Sequence, residues 1–322
     1  MQCFVRAMAI AVAFLCMPAA THAQGRNQPI RFIVPYPPGG ATDQITRLVA
    51  HEAANALGTP VVVENKAGGA GMIAAETVAR AEPNGRTFLI GSNGPLVINS
   101  ALFRKLPYDP VKDFVPVAGL GKTPLLLVIR PDLPVKSVAE LVALGKKEPG
   151  KLTMESAGNG NISHLAGEYT ANALGFKATL VPYGGSAPAI ISLVGGNIDL
   201  LFDALPSSLQ QVRAGKIRAL AILDATRFAL LPDVPTLREL GFPNTDASAW
   251  FGVVAPARTP EPVIARLSKA INVSLRQPAL IEKLQAIGAQ PLPATREEFG
   301  RLLTEERAKW IPVANTLGLK AD

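Results

Sequence analysis

The sequence predicts an α/β fold in which parallel-rich sheets are flanked by helices. From Pro29 onward, short β-rich runs alternate with segments of helical periodicity, the pattern of strands joined by crossover helices. Two stretches, residues 114–124 and 247–256, interrupt this alternation and are interpreted as crossings between two lobes. Strands are predicted at residues 30–34, 61–64, 87–90, 125–129, 152–155, 179–181, 198–202, 217–222 and 251–254.

The first 23 residues have the features of an export signal. Arg6 supplies a positive charge, residues 7–20 are almost wholly apolar, and small residues precede a cleavage site near Ala23. The alternative is a membrane anchor, but the apolar run is shorter than the roughly 20 residues that a span needs and contains Pro18. We therefore expect residues 1–23 to be removed on export.

The helices between the strands have clear apolar faces. Thr42 and Asp43 are predicted to cap the first helix, and Thr295 with Glu298 forms a capping box for the last one. One side of the first helix carries Ile45, Leu48, Val49, Ala53, Ala56 and Leu57, and one side of the last carries Phe299, Leu302, Leu303 and Trp310.

The two crossings divide the chain into a discontinuous first lobe and a compact second lobe. Residues 24–124 and 250–322 are assigned to lobe 1, and residues 125–249 to lobe 2. This division places the helices after Pro256 back on the first lobe. Periodicity alone does not show which lobe a helix joins.

The loop between the first strand and the first helix is predicted to bind an anion. Glycine lets the main chain approach a ligand closely, while unpaired N–H groups and the helix dipole favour negative charge at a helix start. A valine in place of either glycine is expected to block that approach. The loop residues proposed as ligand contacts are Tyr36, Gly39, Gly40, Ala41, Thr42 and Asp43.

Four further turns lie where a strand gives way to a helix or a turn, the place where open α/β sheets bind ligands. Asp203, after the run 198–202, would suit an amine or hydroxyl of a ligand. The turn 183–186 contributes Tyr183, and the turn 92–94 contributes Ser92. The remaining turn, 156–164, offers a free backbone and neutral polar groups through Ser156, Gly158, Asn159, Asn161 and Ser163.

Other classes of function fit the sequence poorly. The net charge is +7, but the basic residues are scattered and the chain has only four tyrosines and two tryptophans, so nucleic acid is not an expected partner. The run 69–74 matches a dinucleotide fingerprint of the Gly-x-Gly-x-x-Ala type, yet no acidic residue follows at the next strand end. We expect no cofactor, and close helix packing explains these glycines.

Catalytic and metal sites are also not expected. Both cysteines, Cys3 and Cys16, fall in the export signal, and the remaining histidines, His51 and His164, are too few for a typical zinc site. A serine hydrolase typically has a Gly-x-Ser-x-Gly turn around its nucleophile. Residues 184–188 match this pattern except at the last position, where Pro188 replaces glycine. We therefore predict that the protein is not an enzyme. His164 is expected to make a structural hydrogen bond.

The chain resembles the substrate-binding proteins of tripartite tricarboxylate transporters, the Bug-type periplasmic receptors. The similarity runs from Ile30 to Leu319. The stretches that carry it are residues 34–43, 106–114, 156–168, 182–186, 202–207, 231–236 and 250–252.

This resemblance implies a two-lobed periplasmic binding protein fold with two crossing strands, located in the periplasm. It implies capture of a small organic carboxylate, one end held at residues 36–43 and the far end by residues 156–163, Tyr183 and Asp203. It further implies delivery to the membrane permease subunits of a tripartite tricarboxylate transporter by a receptor expected to be a monomer. The alternative is a periplasmic ligand sensor that presents the liganded receptor to a signalling partner.

Two departures from the family pattern concern the predicted pocket. Asn161 followed by Ile162 stands where relatives often carry Thr or Ser, which puts hydroxyl contacts there in doubt. Residues 92–95 replace a more usual hydroxyl and histidine pattern. The identity of the ligand does not carry over from the family.

Overall fold

A computed structural model describes residues 28–156 and 160–320. Its strands are β1 (Ile30–Val34), β2 (Val61–Asn65), β3 (Thr87–Ser92), β4 (Phe114–Ile129), β5 (Thr153–Ser156), β6 (Thr179–Pro182), β7 (Leu200–Ala204), β8 (Arg218–Ile222), β9 (Ser248–Pro256) and β10 (Gln290–Pro291). Its α-helices are α1 (Ala41–Leu57), α2 (Met72–Ala79), α3 (Asn99–Leu102), α4 (Val138–Lys147), α5 (Ile162–Leu174), α6 (Ser186–Val194), α7 (Leu205–Arg213), α8 (Glu261–Ser274), α9 (Pro278–Ala286) and α10 (Arg296–Thr316).

The strands form two parallel groups joined by an antiparallel centre. Their order is β2-β1-β3-β9-β4-β7-β5-β6, with β8 and β10 also paired to β4. β1 pairs parallel with β2 and β3, and β5 pairs parallel with β6 and β7. The pairs that involve β4 or β9 are antiparallel, because these two strands run in opposite directions between the groups.

β4 and β9 are the crossing strands. The first half of β4 pairs with β9 from Phe114 to Pro124, and its second half pairs with β7 from Leu125 to Ile129. The sequence interpreted residues 114–124 as a crossing between lobes and did not include them among its strands. The structure forms this crossing as a strand with two register shifts, which absorb its glycines and prolines as β-bulges do. The lobe boundaries at 124/125 and 249/250 stay a prediction.

Two apolar clusters fill the layers between the sheet and the helices. The larger one contains the faces of α1, α8 and α10, with Phe32 edge-on to Phe88 at a centroid distance of 6.2 Å. The smaller one packs α6 and α7 against one face of β4 and β7. Because β7 alternates, Leu201 belongs to the smaller cluster and Phe202 to the larger. The carboxyl ends of β5 and β7 are thereby fixed beside the starts of α5, α6 and α7.

The predicted helix starts are right in one case and wrong in the other. The Thr295–Glu298 capping box at the start of α10 is confirmed. At α1, however, Gly40 is the N-cap and Thr42 and Asp43 lie inside the first turn, so the predicted capping by these two side chains is wrong. Ala56 is exposed rather than on the buried face. Helix α1 ends at Gly58, which adopts the left-handed conformation with φ 59°.

None of the helices in the described part of the chain is long and apolar enough to cross a bilayer. The predicted export signal, residues 1–23, lies outside the described residues.

Candidate functional site

Four helices begin at one cavity between the two groups of strands. Gly40 and Ala41 belong to the start of α1, Asn161 and Ile162 to α5, Ser186 to α6, and Ala204 to α7. The cavity has a volume of about 30 Å³, which is room for about two water molecules. Its described lining consists of Tyr36, Pro37, Gly40, Ala41, Thr42, Ser92, Asn93, Asn161, Ile162, Ser163, Ser186, Ala204, Ala249 and Phe251.

The lining is uncharged, and the positive ends of four helix dipoles lie beside it. None of the lining residues just named has an ionisable acidic or basic side chain other than the tyrosine phenol. Each helix N-terminus carries roughly half a positive charge from its aligned peptide dipoles and exposes unpaired N–H groups. Asp43 in the first turn of α1 and Asp203 just before α7 offset part of this positive charge when they are ionised, but neither side chain lines the cavity. The cavity therefore favours anions through backbone groups alone.

A carboxylate within α1 braces the loop that precedes the helix. Asp43 accepts hydrogen bonds from the backbone N–H of Gly39 at 3.0 Å, from Asn65 at 2.9 Å and from Arg47 at 3.0 Å. Burial acts to raise the pKa of Asp43, but these bonds outweigh it and the net pKa is lowered. Gly39 itself has φ +89°, a conformation that favours glycine. Asp43 thus shapes the loop instead of facing the cavity.

The start of α1 also touches the other side of the cavity. The Ala41 N–H donates to Ser207 Oγ at 2.9 Å, and the Gln44 amide donates to the Pro206 carbonyl at 3.3 Å. Ser207 lies in α7, in the second group of strands and helices. The two sides are therefore closed onto each other in this structure. The Thr42 hydroxyl lines the cavity without a hydrogen-bond partner among the described residues.

Tyr36 and Ser92 form a hydroxyl pair on the wall of the cavity. Tyr36 Oη and Ser92 Oγ lie 3.1 Å apart. Burial raises the pKa of Tyr36 to about 12, against the effect of its bond with Ser92. Both groups stay neutral at physiological pH, and because one of them donates to the other, the pair offers one proton to an anion.

Next to this pair, Asn93 connects the cavity to the last helix. Asn93 Nδ2 donates to Glu306 Oε2 of α10 at 2.8 Å, and Trp250 Nε1 donates to the same oxygen at 2.8 Å. Asn93 Oδ1 in turn accepts from the Trp250 backbone N–H at 3.2 Å. Because Trp250 belongs to the crossing strand β9, this network ties the cavity wall to a crossing.

The start of α5 is fixed by its own side chains. Asn161 is the N-cap and accepts a hydrogen bond from the Ser163 N–H at 3.4 Å. His164 Nδ1 accepts from the Gly160 N–H at 3.4 Å, and burial lowers the pKa of His164 to about 4. The predicted structural role of His164 is confirmed.

Behind the cavity, two carboxyl groups are buried under α6. Asp203 is fully buried and accepts from Ser186 Oγ and Ser208 Oγ, each at 2.6 Å. Burial raises the pKa of Asp203 to about 6 against these two bonds. Glu155 on β5 is 1% exposed, and neither of its carboxyl oxygens has a hydrogen-bond partner among the residues that the structure describes. Burial, with the nearby charge of Asp203, raises the pKa of Glu155 to about 10.

The structure brings together about half of the residues that the sequence proposed. Those that line the cavity are Tyr36, Gly40, Ala41, Thr42, Ser92, Asn161 and Ser163. Gly39, Asp43, Tyr183 and Asp203 are described but do not line it; Tyr183 is instead hydrogen-bonded to Ser192. Ser156 ends β5, and its side chain is not described; Gly158 and Asn159 lie outside the described residues.

Sequence reasoning missed several lining residues. Asn93 and Ser186 stand in turns that the sequence singled out, so the turn signal could have included them. No polar signal marks the apolar wall, to which Pro37, Ile162, Ala204, Ala249 and Phe251 belong. Within residues 28–156 and 160–320, no three His, Cys, Asp or Glu side chains come together in a way that could hold a metal ion.

Comparison with known proteins identifies the family. The family model described as tripartite tricarboxylate transporter family receptor matches residues 45–319. The chain belongs to this family. Among curated proteins, Protein BugT of Bordetella pertussis is 37% identical over 294 residues, which cover 91% of this chain and 90% of BugT.

Two solved structures extend this result to the fold. Periplasmic binding protein BugD has a TM-score of 0.87 and 33% identity, covering 91% of this chain and 99% of the BugD chain. MatC from Rhodopseudomonas palustris, solved with bound malate, has a TM-score of 0.84 and 36% identity, covering 89% of this chain and 98% of MatC. The predicted two-lobed periplasmic binding protein fold is confirmed, and the chain is a solute-binding receptor of the tripartite tricarboxylate transporter family.

Proposed function

We propose that this receptor captures a small organic dicarboxylate in the cavity between its lobes and delivers it, in the periplasm, to the membrane permease of a tripartite tricarboxylate transporter. The observation that carries the proposal is the convergence of four helix N-termini on one cavity without charged side chains. Positive helix ends on both sides of the cavity suit a ligand with a carboxylate at each end. The malate in MatC, a dicarboxylate, supports this class of ligand.

One carboxylate is assigned to the start of α1. The donors there are the first-turn N–H groups, the Thr42 hydroxyl and the Tyr36–Ser92 pair. The other carboxylate is assigned to the start of α5, where Asn161 and Ser163 lie. A hydrogen bond to a charged group contributes about 1.5 to 3 kcal/mol, so two such ends with apolar contacts reach micromolar affinity, roughly −8 kcal/mol.

Ligand entry requires the lobes to separate. The Ala41–Ser207 bond closes the rim of the cavity, so a diacid can enter only when the two sides part. Closing over the ligand removes water and strengthens the bonds to the carboxylates. Carboxylate capture and lobe closure are therefore one event.

A thermal-shift screen over mono-, di- and tricarboxylates tests the ligand class. A ligand that binds only the folded receptor raises its melting temperature by mass action, so four- to six-carbon diacids are expected to raise it most. Isothermal titration calorimetry on the best ligands then gives the affinity. Stabilisation by none of the acids, or equally by monocarboxylates of the same length, would reject the proposal.

Delivery to a permease needs a separate test in cells. A strain that lacks the receptor gene is expected to lose uptake of the labelled diacid, and the full-length gene is expected to restore it. Uptake that persists in that strain, together with a lost transcriptional response to the diacid, would instead show a sensor.

A further inference from the structure

The hydroxyl of Ser186 is committed to a buried carboxylate. Ser186 lines the cavity at the start of α6, and its Oγ donates to Asp203 Oδ1 at 2.6 Å. The other carboxylate oxygen of Asp203 accepts from Ser208, which is fully buried in α7. Asp203 does not line the cavity itself; it contacts two lining residues, Ser186 through the hydroxyl and Ala204 through the backbone N–H, and Ser186 is the one of the two whose side chain is polar.

This arrangement fixes the hydrogen-bond polarity of Ser186. A serine hydroxyl has one proton and two acceptor lone pairs, and an ionised carboxylate can only accept. Because the Ser186 proton points at Asp203, the side of Oγ that remains for a ligand is an acceptor. A carboxylate placed there meets lone pairs, whereas an O–H or N–H group of a ligand finds a partner.

We propose that the Asp203–Ser186 pair makes this receptor prefer diacids that carry a hydroxyl or amino group over the unsubstituted diacids of the same length. The inference rests on the proposed function, since it deepens the ligand class of the same cavity. It assigns Ser186 to the ligand's hydroxyl or amine and makes Asp203 a positioning residue.

The surroundings of Asp203 hold few other ionisable groups. β4 faces it with the apolar residues 125–129, α6 has no ionisable side chain, and α7 carries only Arg213 at its far end. Helix α5 packs on the opposite face of β7, against Phe202, so His164 and Glu168 do not share the layer of Asp203. From β5, Glu155 faces it.

These neighbours make the preference depend on pH. The pKa of Glu155, about 10, keeps that group neutral throughout the range used here, while the pKa of Asp203 is about 6. Above pH 7 Asp203 is ionised and Ser186 is an acceptor. Once protonated, Asp203 can donate to Ser186, and the Ser186 proton is then free to face a ligand carboxylate.

Calorimetry of the purified protein with malate and succinate at pH 7.5 tests the inference. We expect the tighter-binding malate enantiomer to bind about fivefold more strongly than succinate, the value of one hydrogen bond of average strength. Ser186→Ala is expected to remove the preference by weakening malate binding. Ser186→Thr keeps the hydroxyl and is expected to keep the preference.

Two further arms probe Asp203 itself. Asp203→Asn offers one accepting and one donating atom in place of two acceptors, so the ratio of malate to succinate affinity is expected to fall. In the wild type, the same ratio is expected to fall between pH 7.5 and pH 5. A ratio that does not change with pH would overturn the role of the charged carboxylate.

The outcomes separate the two proposals. Equal affinity of the wild type for both acids, or a preference retained in Ser186→Ala, overturns this inference and leaves dicarboxylate capture standing. Binding of neither acid to any folded variant overturns the proposed function itself. If Asp203→Asn does not fold, the comparison of Ser186→Ala with Ser186→Thr still decides the inference.

Discussion

At the scale of single residues, the adjacent glycines before α1 have different physical roles. Gly39 has φ +89°, where any other residue is strained by about 1 to 2 kcal/mol. Gly40 has φ −74° and ψ 169°, a conformation open to all residues, and a Cβ added there would lie 3.9 Å from Ser186 Cβ. The sequence pattern treats both glycines alike, because it shows the residue type but not the dihedral angle.

Gly40→Val is therefore the cleaner test of close approach at the rim. Its extra methyl groups would extend into the gap between Gly40 and Ser186 on the other lobe and hinder closure. We expect diacid affinity to fall more than tenfold, by calorimetry, with the melting temperature nearly unchanged. Gly40→Ala, whose Cβ meets only ordinary contacts, is expected to bind like the wild type. Equal affinity of the valine variant would contradict this placement.

A second residue-scale feature is the unpartnered carboxyl of Glu155. Its folded-state pKa, about 10, is raised above the unfolded value of 4.5, so folding favours the protonated form. The contribution of such a group to the free energy of unfolding is fully present below pH 4.5 and is lost as pH rises toward 10. Wild-type stability should decline over this window for that reason.

Glu155→Met replaces the buried acid with an apolar side chain of similar length. We expect the variant to be more stable than the wild type by about 2 kcal/mol at pH 8, with a smaller gain at pH 5. Urea unfolding at both pH values measures the two differences. The exposed Glu282→Met is the matched control and should show no such dependence on pH. An equal gain at both pH values would contradict the linkage.

At the scale of elements, α10 contacts both the wall of the cavity and the crossing strand β9. Glu306 is the one residue that accepts from both the cavity residue Asn93 and the indole of Trp250 on β9. Trp250 also packs edge-on against Phe299 of the same helix, at a centroid distance of 5.8 Å. Helix α10 thus fixes the position of Asn93 relative to the crossing strand β9.

Glu306→Ala should loosen the attachment of Asn93 and of strand β9 to helix α10. It leaves two donors, Asn93 Nδ2 and Trp250 Nε1, without their acceptor, at a cost of about 2 kcal/mol or more in the free energy of unfolding. Diacid affinity should fall as well, since Asn93 loses its orientation. Urea unfolding monitored by tryptophan fluorescence measures the loss of stability, and calorimetry measures the loss of diacid affinity. Glu305→Ala, an exposed neighbour on α10, should change neither; a similar loss there would point to helix propensity instead.

The elements also show how far the sequence could predict the molecule. Buried strands such as β1 were predicted to the residue, because their apolar runs end abruptly. The first half of β4 was not, since Pro116 and Gly119 suppress the strand signal and only pairing with β9 supplies it. The same limit applies to the cavity: a turn can be read from glycines, but the Asp203–Ser186 bond joins β7 to α6, and only the folded chain brings them together.

At the scale of the whole molecule, the two lobes meet through few polar contacts. The direct bonds between the starts of α1 and α7 are those from Ala41 N–H to Ser207 and from Gln44 to the Pro206 carbonyl. A neutral hydrogen bond contributes about 1 kcal/mol net, enough to shift an open–closed equilibrium about fivefold. Ser207 therefore stabilises the closed form before any ligand arrives, by occupying an N–H group that the sequence assigned to the ligand.

Ser207→Ala is expected to open the unliganded receptor. Without the serine oxygen, the Ala41 N–H regains water only when the lobes part, so the open population should rise about fivefold. Small-angle scattering without ligand should then give a larger radius of gyration than the wild type, and the two should converge in saturating diacid because the ligand's own bonds close both. Ser207→Thr keeps the acceptor and should match the wild type. If the alanine variant and the wild type scatter identically without ligand, the contact between α1 and α7 does not govern closure. Apolar packing across the rim, such as Gly185 against Pro37, must then govern it.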